Sequence, residues 1–220
     1  MVEKERKLYQ DKLRRRGMML ILAAPPGCGK DSIIREVLKR DSNTKISVSA
    51  TTRDKRPGEV EGRDYFFVSE ENFRDMIDND ELIEYAQIYT KAFSGTPKAN
   101  IEENLESGID MISDIDWQGH IKFKAMMPND VVSIYILPPE FEELERRMIK
   151  RGRDSKEDID KRMKKAVNEI SHYKEFEYIV INDDFNEAVE KVLAIITAER
   201  LNRLRLRGVQ DFVSELKPKE

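Results

Sequence analysis

Residues 24–32 read APPGCGKDS and follow the apolar run MMLILA at 18–23. A glycine-containing turn with a lysine, placed between a buried strand and a helix, is the arrangement that binds nucleotide phosphates. Its backbone N–H groups and the positive end of the helix face the anion, and Lys30 adds a full charge. The alternative is an ordinary strand-to-helix turn. We predict that phosphates are held by Pro25, Pro26, Gly27, Cys28, Gly29, Lys30, Asp31 and Ser32.

This segment departs from the pattern G-x-x-x-x-G-K-[ST] at two positions. Ala24 replaces the first glycine, and Asp31 replaces the hydroxyl residue that would contact Mg²⁺, with Ser32 displaced by one. An aspartate can ligate Mg²⁺ directly, but its charge repels phosphates unless the metal lies between them. We therefore predict Asp31 and Ser32 as metal ligands and a raised Mg²⁺ dependence of nucleotide binding.

Cationic side chains occur in three separated groups. Transfer of a phosphoryl group between two polyanions needs positive charge around the group in transit. Any one arginine alone would be an exposed surface charge, so only the grouping is informative. Arg147 and Arg151 are four residues apart and share a helix face. The candidate catalytic residues are Lys30, Arg53, Arg147, Arg151 and Arg162, with Arg56 beside Arg53.

Two carboxylates follow the apolar segment at 111–115. Asp114 and Asp116 have the alternate spacing of one strand face, and ligands of open α/β sheets bind at the carboxyl ends of strands. Asp114 is a candidate Mg²⁺ ligand, and Asp116 is a candidate hydrogen-bond acceptor for a nucleobase. A helix N-cap at one of the two positions is the alternative.

Three further residues have two interpretations each. Glu84 is a candidate acceptor for the N1–H and N2–H₂ groups of guanine, or an exposed strand residue. Asn182, which begins the run NDD, is a base contact or part of a turn. Cys28 is a small residue that fits the loop, or a redox-sensitive thiol with a low pKa.

Apolar runs alternate with amphipathic ones, which predicts an α/β fold with a central, mainly parallel sheet flanked by helices. Strands are predicted at 18–23, 46–49, 111–115, 131–137 and 178–181, and helices at 33–40, 97–106, 119–127, 140–151, 158–171 and 186–207. Residues 51–96 interrupt this alternation as a small β-rich insertion. A second insertion, at about 147–162, is predicted as a loop between two helices, rich in arginine, glycine and acids. The apolar stripe of the last helix, which includes Leu201 and Leu204, predicts core or a self-association face.

Composition narrows the class of protein. The chain has 220 residues, 37% of them charged, with a net charge of only −4, which gives no nucleic-acid signature. The basic segment 4–16 is the solvated face of a terminal helix or an arm that contacts a partner. One cysteine excludes an internal disulfide, and the two histidines lack metal-ligand spacing. No segment predicts a membrane span or a signal peptide, so we expect a cytoplasmic protein.

Taken together, these motifs resemble those of the guanylate kinases, P-loop nucleoside monophosphate kinases that convert GMP and ATP to GDP and ADP. The most specific segment is SVSATTRDKRPGEVEGRDY at 47–65, similar to the family signature SVSxTTRxxRPGExxGxDY. Further matches are IEYA at 83–86, GTP at 95–97, DIDWQG at 114–119 and NDD at 182–184. The resemblance covers about residues 18–200.

The resemblance implies a division of labour within the chain. Residues 51–96 would bind GMP, residues 18–50 and 97–207 would form the P-loop core, and a helical lid at about 147–162 would close over the phosphates. A basic extension at 1–17 and a tail at 208–220 would flank them. Implied around guanine are Ser49, Glu84, Thr96 and Asp116; implied on the GMP phosphate are Arg53, Arg56 and Tyr65; and Asn182 would lie near adenine.

The resemblance also implies ATP, GMP and Mg²⁺ as ligands, with Asp114 among the substrate and metal ligands. Where the family has a second tyrosine reaching the GMP phosphate, this chain has Ser94, a shorter candidate ligand. A homodimer is a further expectation, and no nucleic-acid or membrane partner is expected. The alternative is an interaction module on the same fold that has lost catalysis. Such modules typically lack the loop lysine and much of the lid, so Lys30 and the arginines favour the enzyme.

Overall fold

The structure, a computed structural model, describes residues 13–88, 92–152 and 154–216. Most of the predicted basic segment 4–16 therefore lies outside the described residues. The strands are β1 Met19–Ala23, β2 Thr44–Ile46, β3 Ala50–Thr51, β4 Phe66–Phe67, β5 Leu82–Ile88, β6 Ala92–Pro97, β7 Asp110–Ser113, β8 Val131–Leu137 and β9 Tyr178–Ile181. The helices are α1 Lys30–Arg40, α2 Glu70–Asp78, α3 Lys98–Glu106, α4 Trp117–Met126, α5 Phe141–Arg151, α6 Lys156–Ile170, α7 Phe185–Arg200 and α8 Val209–Glu215, with a 3₁₀ helix at Ser171–Glu175. In these residues, no helix has the length and apolar character that crossing a bilayer would require.

The larger sheet is parallel and has the strand order β2-β7-β1-β8-β9. Its central strand, β1, has the sequence MLILA and is buried along its whole length, because helices cover both faces. Leu20 and Leu22 pack against residues of α1, α5, α6 and α7, while Met19 and Ile21 pack against α3 and α4. The predicted α/β fold is confirmed.

The smaller sheet has the order β4-β3-β6-β5 and carries α2 on a separate apolar cluster that includes Ala50, Phe73 and Leu82. Strands β5 and β6 are antiparallel, and their register shifts between Leu82 and Tyr85. Leu82 lies opposite Pro97 whereas Tyr85 lies opposite Gly95, so β5 contains one extra residue at this point. The predicted β-rich insertion is thus a sheet with its own small core.

Two predicted elements are wrong in their extent. The strand predicted at 46–49 ends at Ile46, because after Ser47 N–H bonds to Ile112 the chain leaves the large sheet for β3 in the small one. The helix predicted at 186–207 ends at Arg200. Residues beyond it turn back so that Arg205 N–H reaches Asn202 and the Arg205 carbonyl accepts from Arg16. Leu201 and Leu204 are consequently exposed rather than core.

Asp110 connects residues that lie far apart in the sequence, Arg15 and Arg200. Its carboxylate is fully buried and accepts from Arg15 (2.5 and 2.9 Å), Arg200 (2.8 Å) and the Met18 N–H (3.0 Å). Arg16 is paired with Glu102 and Asp130 nearby. Breaking a buried pair leaves an unpaired charge, which is strongly destabilising. Two arginines of the predicted basic segment therefore serve the fold.

His120 gives the fold a dependence on pH. The residue is 2% exposed and stacks on Phe176, and neither ring nitrogen has a hydrogen-bond partner among the described residues. Burial, and then the Lys124 charge, lower its pKa, against an opposing effect of Glu177 and Glu175. Because the unfolded chain takes up this proton at a higher pH than the folded chain, stability falls as the pH drops below about 6.5.

We predict that His120→Phe, which keeps the ring stacking, reduces this loss of stability. Thermal unfolding at pH 7.5 and pH 5.5 measures it, and the drop in Tm between the two should be smaller in the variant by several degrees. An equal drop in both proteins would contradict the assignment.

Candidate active site

An open cleft of about 680 Å³ lies at the carboxyl ends of β1 and β7. One wall is the loop 24–32, and another is the segment 114–116 that follows β7. Three arginines from α5 and α6, namely Arg147, Arg151 and Arg162, complete it. The structure thus brings together the predicted phosphate loop, the predicted carboxylates and the third predicted group of cations.

The loop has the conformation that its glycines permit. Gly27 and Gly29 have φ values of 87° and 92°, in the left-handed region where side chains are strained. A Cβ on Gly29 would also lie 2.9 Å from the Asn182 amide nitrogen. The N–H groups of Gly27, Gly29, Lys30 and Asp31 have no acceptor among the described residues. Free donors at the start of α1 are what an anion-binding loop requires.

Asn182 and Arg147 hold this loop in place through hydrogen bonds to its backbone. The Asn182 side chain is buried, and its amide donates to the Cys28 carbonyl at 2.7 Å. Arg147 donates to the same carbonyl at 3.4 Å, to the Asn182 carbonyl at 2.9 Å and to Glu143 at 2.8 Å. The adenine contact predicted for Asn182 and the catalytic role predicted for Arg147 stay predictions, and the geometry adds a supporting role to both.

Lys30 lies between the loop and the end of β7. Its ammonium group donates to the Asp114 carbonyl at 2.7 Å and lies 4.0 Å from the Asp114 carboxylate. Asp31 and Ser32 are exposed at the start of α1. Arg35, one turn on, donates to the Asp31 carbonyl and to the Ser32 hydroxyl at 3.2 and 3.3 Å. The positively charged Arg35 therefore lies next to Asp31, the residue that departs from the phosphate-loop pattern.

The Cys28 side chain points away from the cleft. It is 1% exposed, and its sulfur contacts the Ile136 carbonyl at 3.4 Å. Burial raises the pKa of the thiol to about 12, with a smaller opposing effect of Arg147. The low-pKa alternative is therefore wrong, and Cys28 serves as a small buried residue in the loop.

The two outer arginines share one carboxylate. Arg151 and Arg162 contact different oxygens of Asp154, at 2.7 and 3.2 Å. Asp154 lies in the short turn between α5 and α6. Ser155 is the N-cap of α6, and its hydroxyl accepts from the Asp158 N–H. The loop predicted at about 147–162 is shorter in the structure, because α5 continues to Arg151 and α6 begins at Lys156.

Asp116 has the N-cap role that the sequence leaves open, and its contact with a nucleobase stays a prediction. It is the N-cap of α4, where its Oδ1 accepts from the N–H groups of Gln118 and Gly119 at 3.0 and 3.1 Å. Its Oδ2 has no partner within the described residues, so a second acceptor remains toward the cleft. The strand-face argument is wrong in detail, since β7 ends at Ser113 and both aspartates lie in the following loop.

Glu84 lies at the register shift of β5, where it faces β6. Its Oε1 accepts from the Thr96 hydroxyl at 2.8 Å, and Thr96 itself is fully buried. Burial raises the pKa of Glu84, an effect that Thr96 and then Lys122 oppose and that Asp116 reinforces. The charge of Asp116 therefore acts on Glu84, the other predicted guanine acceptor. The exposed-strand alternative for Glu84 is wrong.

The Arg53 side chain is held in place by contacts with Glu59 and Tyr65. Its guanidinium forms a double hydrogen bond with Glu59, at 2.8 and 2.5 Å, and lies 4.7 Å above the Tyr65 ring. Arg53, with a further contribution from the Arg56 N–H, lowers the pKa of Glu59 to about 2. The Arg56 side chain is exposed. Of the remaining predicted ligands, Ser94 lies on β6 and pairs with Thr51. Ser49 lies just before β3, and its carbonyl accepts from the Phe66 N–H.

Comparison with known proteins decides the family. The family model described as guanylate kinase matches residues 16–199, most of the chain. This chain belongs to the guanylate kinase family. A guanylate kinase of Paramagnetospirillum magneticum is 47% identical over 203 residues, covering 92% of this chain and 94% of the relative. One of Novosphingobium aromaticivorans is 47% identical over 206 residues, with 94% and 93% covered.

A solved structure agrees with this assignment. The crystal structure of guanylate kinase from Anaplasma phagocytophilum has a TM-score of 0.74 and 36% identity, and covers 94% of this chain and 99% of that one. The resemblance inferred from the residues is confirmed, as is the nucleoside monophosphate kinase class.

The sequence did not indicate which carboxylates of this guanylate kinase family member pair with the site arginines. Glu59 and Asp154 each contact an arginine that the sequence singled out. Glu59 lies inside the quoted block 47–65, and Asp154 is three residues after Arg151, a spacing at which helical side chains meet. Arg35, Lys165 and Glu169 also line the cleft, and only their place on α1 and α6 reveals it.

Proposed function

We propose that the protein transfers the γ-phosphoryl group of ATP to GMP, giving ADP and GDP, in a reversible reaction. The observation that carries the proposal is the cleft in which the phosphate loop, Lys30 and three lid arginines converge. Membership in the guanylate kinase family supports the same activity.

At the ATP end, the free N–H groups of the loop and the start of α1 bind the phosphates. Lys30 compensates the negative charge of the outer phosphates. Its ammonium group already lies between the phosphate loop and the end of β7, where it donates to the Asp114 carbonyl. Asn182 and Arg147 keep the loop in its binding conformation through the Cys28 carbonyl. Adenine would be bound next to Asn182.

At the GMP end, Glu84 and Asp116 accept hydrogen bonds from guanine, with Thr96 and Ser49 beside them. Their placement on β5, on β6 and in the loop after β7 supports this assignment. Arg53, Arg56, Tyr65 and Ser94 bind the GMP phosphate. Glu59 fixes the Arg53 fork in advance, which lowers the ordering cost of binding.

The oxygen donors fit a magnesium ion only when a nucleotide is bound as well. In the described residues no group of three or more His, Cys, Asp and Glu side chains could hold a metal. Mg²⁺ in such enzymes takes one or two protein oxygens plus phosphate oxygens and water. Asp31, Ser32 and Asp114 would hold it at the cleft, where it would neutralise charge on the β- and γ-phosphates.

In the transfer step, an oxygen of the GMP phosphate forms a bond to the γ-phosphorus, and the bond from that phosphorus to the β–γ bridging oxygen breaks. Lys30 and the lid arginines Arg147, Arg151 and Arg162 stabilise the charge in transit. No side chain is needed as a strong base, because the attacking oxygen is already anionic. Closure of the lid excludes water, which would otherwise hydrolyse ATP.

An ADP-release assay with GMP, AMP, UMP and CMP as acceptors tests the proposal. We expect turnover with GMP far above the other three. No turnover with any acceptor would support the alternative of an interaction module, and preference for AMP would contradict the guanine roles of Glu84 and Asp116.

Asp31→Ser tests the unusual residue of the loop. Removing the carboxylate removes repulsion of the phosphates, so ATP should bind about tenfold more tightly in EDTA, with a smaller gain in excess Mg²⁺. Calorimetric titration of ATP under both conditions measures this. Asp75→Ser, an exposed aspartate of α2, is the matched control. Equal affinity and equal Mg²⁺ dependence in wild type and variant would disprove the role of Asp31.

We also propose the functional layout that the sequence predicts, with a GMP-binding subdomain at 51–96, a core at 18–50 and 97–207, and a lid at about 147–162. The small sheet and the cleft support it.

The cytoplasmic location and the homodimer stay predictions. Exposed Leu201, Leu204 and Leu216 make the last part of the chain the place to seek a dimer contact.

A further inference from the structure

Asp154 is a nearly buried carboxylate in an otherwise exposed turn. Its side chain is 9% exposed, whereas those of Arg151 and Arg162 are 41% and 42% exposed. Each of its oxygens contacts the Nη2 atom of one of these arginines, at 2.7 Å for Arg151 and 3.2 Å for Arg162. The arginines come from different helices, α5 and α6, so the carboxylate joins the two arms of the lid.

We propose that Asp154 is a positioning residue that holds Arg151 and Arg162 side by side in the orientation in which they bind the transferring phosphoryl group. The proposal rests on the proposed function, since it takes both arginines to be phosphate ligands. Asp154 itself contacts neither substrate.

The electrostatic reason is the repulsion between two guanidinium groups. Without an anion between them, two long, exposed, like-charged side chains would separate and sample many rotamers. The carboxylate binds both, so the arginines are ordered before the nucleotide arrives and the cost of ordering them does not fall on the transfer step.

The contacts leave each arginine able to bind a phosphate. Each guanidinium uses only Nη2 toward Asp154, and in the part of the chain that the structure describes Nε and Nη1 have no acceptor. An arginine fork can therefore donate to a phosphate while Asp154 remains bound. Two positive charges and one negative charge leave the cluster cationic, so the carboxylate does not cancel its attraction for phosphate.

Three neighbouring acids of α5 and α6 have different partners. Glu143 pairs with Arg147 and Arg146, Glu157 pairs with Lys161, and Asp158 bonds to Ser155. Among the described residues, Asp154 alone connects Arg151 to Arg162. Glu157 is therefore a matched control, as an acid of the same segment that contacts neither arginine.

Asp154→Asn tests the proposal by separating kcat from KM. The amide removes the charge at constant size, so we expect kcat to fall about tenfold with KM for GMP unchanged within about twofold. Asp154→Glu should retain most of kcat, and Glu157→Gln should match wild type. Wild-type kcat in Asp154→Asn would overturn the proposal.

A double-mutant cycle shows whether Asp154 acts through the arginines. In an Arg151→Ala, Arg162→Ala background, Asp154→Asn should change kcat by less than about twofold, because the groups that it positions are gone. A further tenfold loss in that background would overturn the proposal, since Asp154 would then act on its own or through the fold.

Hydrogen exchange provides a readout that does not depend on catalysis. In ligand-free protein, amides of peptides spanning 141–170 should exchange faster in Asp154→Asn than in wild type or Glu157→Gln, because the link between α5 and α6 is lost. Equal exchange would overturn the proposal. If the wild type does not phosphorylate GMP, the proposed function fails, whereas the exchange comparison still tests the pairing by Asp154.

Discussion

Replacing Lys30 by methionine is expected to lower kcat for GMP phosphorylation by about a thousandfold, with the fold unchanged. Methionine keeps the length and apolar stem of the side chain and removes only the charge. The Lys30 ammonium group donates to the Asp114 carbonyl at 2.7 Å, at the start of α1, where four N–H groups have no acceptor among the described residues. We therefore expect its charge to act on the β- and γ-phosphates of ATP.

The loss should appear in kcat rather than in binding of GMP, because Arg53 and Glu59 lie in the connection between β3 and β4, outside the lining of the cleft that holds the loop. A coupled assay that varies ATP and GMP separately measures both constants. Lys39→Met is the control, since Lys39 is an exposed lysine of the same helix α1 that faces away from the cleft lining. A Lys30→Met variant with kcat within tenfold of wild type would remove Lys30 from the mechanism.

The sequence predicts the phosphate loop well because all its determinants are local. A buried strand, two glycines at positive φ, and a helix start follow one another within residues 19–33, so spacing alone specifies the geometry. Ala24 in place of the first glycine causes no visible change, since the positive φ values fall at Gly27 and Gly29. The parallel sheet is predicted for a similar reason, as each strand is a short apolar run.

The residues that support the site are not predictable in this way. Asn182 meets the Cys28 carbonyl across 154 positions of sequence, and Arg147 meets it across 119. Only the packing of β9 and α5 on the loop creates these contacts. Glu59 and Asp154 are local in sequence, but an acid near an arginine is common in a chain of which 37% is charged, so the pattern alone does not single them out.

The helix predicted at 186–207 is too long for a physical reason that its apolar spacing does not reveal. Leu201 and Leu204 continue the helical spacing of α7, but the chain turns there because Arg205 is recruited to the Asn129 carbonyl and to Glu199. Hydrophobic periodicity carries no information about such an ion pair. Further along the chain, Gly208 precedes α8 in a left-handed conformation.

Replacing Glu84 has the second largest expected effect, because we propose that this residue sets the choice of base. Guanine offers donors at N1 and N2, whereas adenine offers an acceptor at N1 and no N2 group. A carboxylate accepts both guanine donors, while a glutamine amide presents one acceptor and one donor. Because Glu84 is largely buried and held by Thr96, an imperfect pairing there is not relieved by water.

Glu84→Gln should therefore lower kcat/KM for GMP by about a hundredfold to a thousandfold, and narrow the preference for GMP over AMP. ADP release with both acceptors measures it. Glu81→Gln, just before β5 and exposed, provides the same change of charge outside the site. An unchanged ratio of GMP to AMP turnover would show that Glu84 does not read the base.

The raised pKa of Glu84 predicts a pH dependence with a definite sign. Burial makes this carboxyl take up a proton at a higher pH than an ordinary glutamate, and the protonated form loses an acceptor for guanine. Wild-type kcat/KM for GMP should therefore decline as the pH falls through this raised pKa, whereas kcat at saturating GMP declines less. The Glu84→Gln variant has no such group, so its profile should lack that acidic limb. If both profiles fall together, the titrating group is another residue, and the carboxylate of Glu84 is not the acceptor for N1–H and N2–H₂.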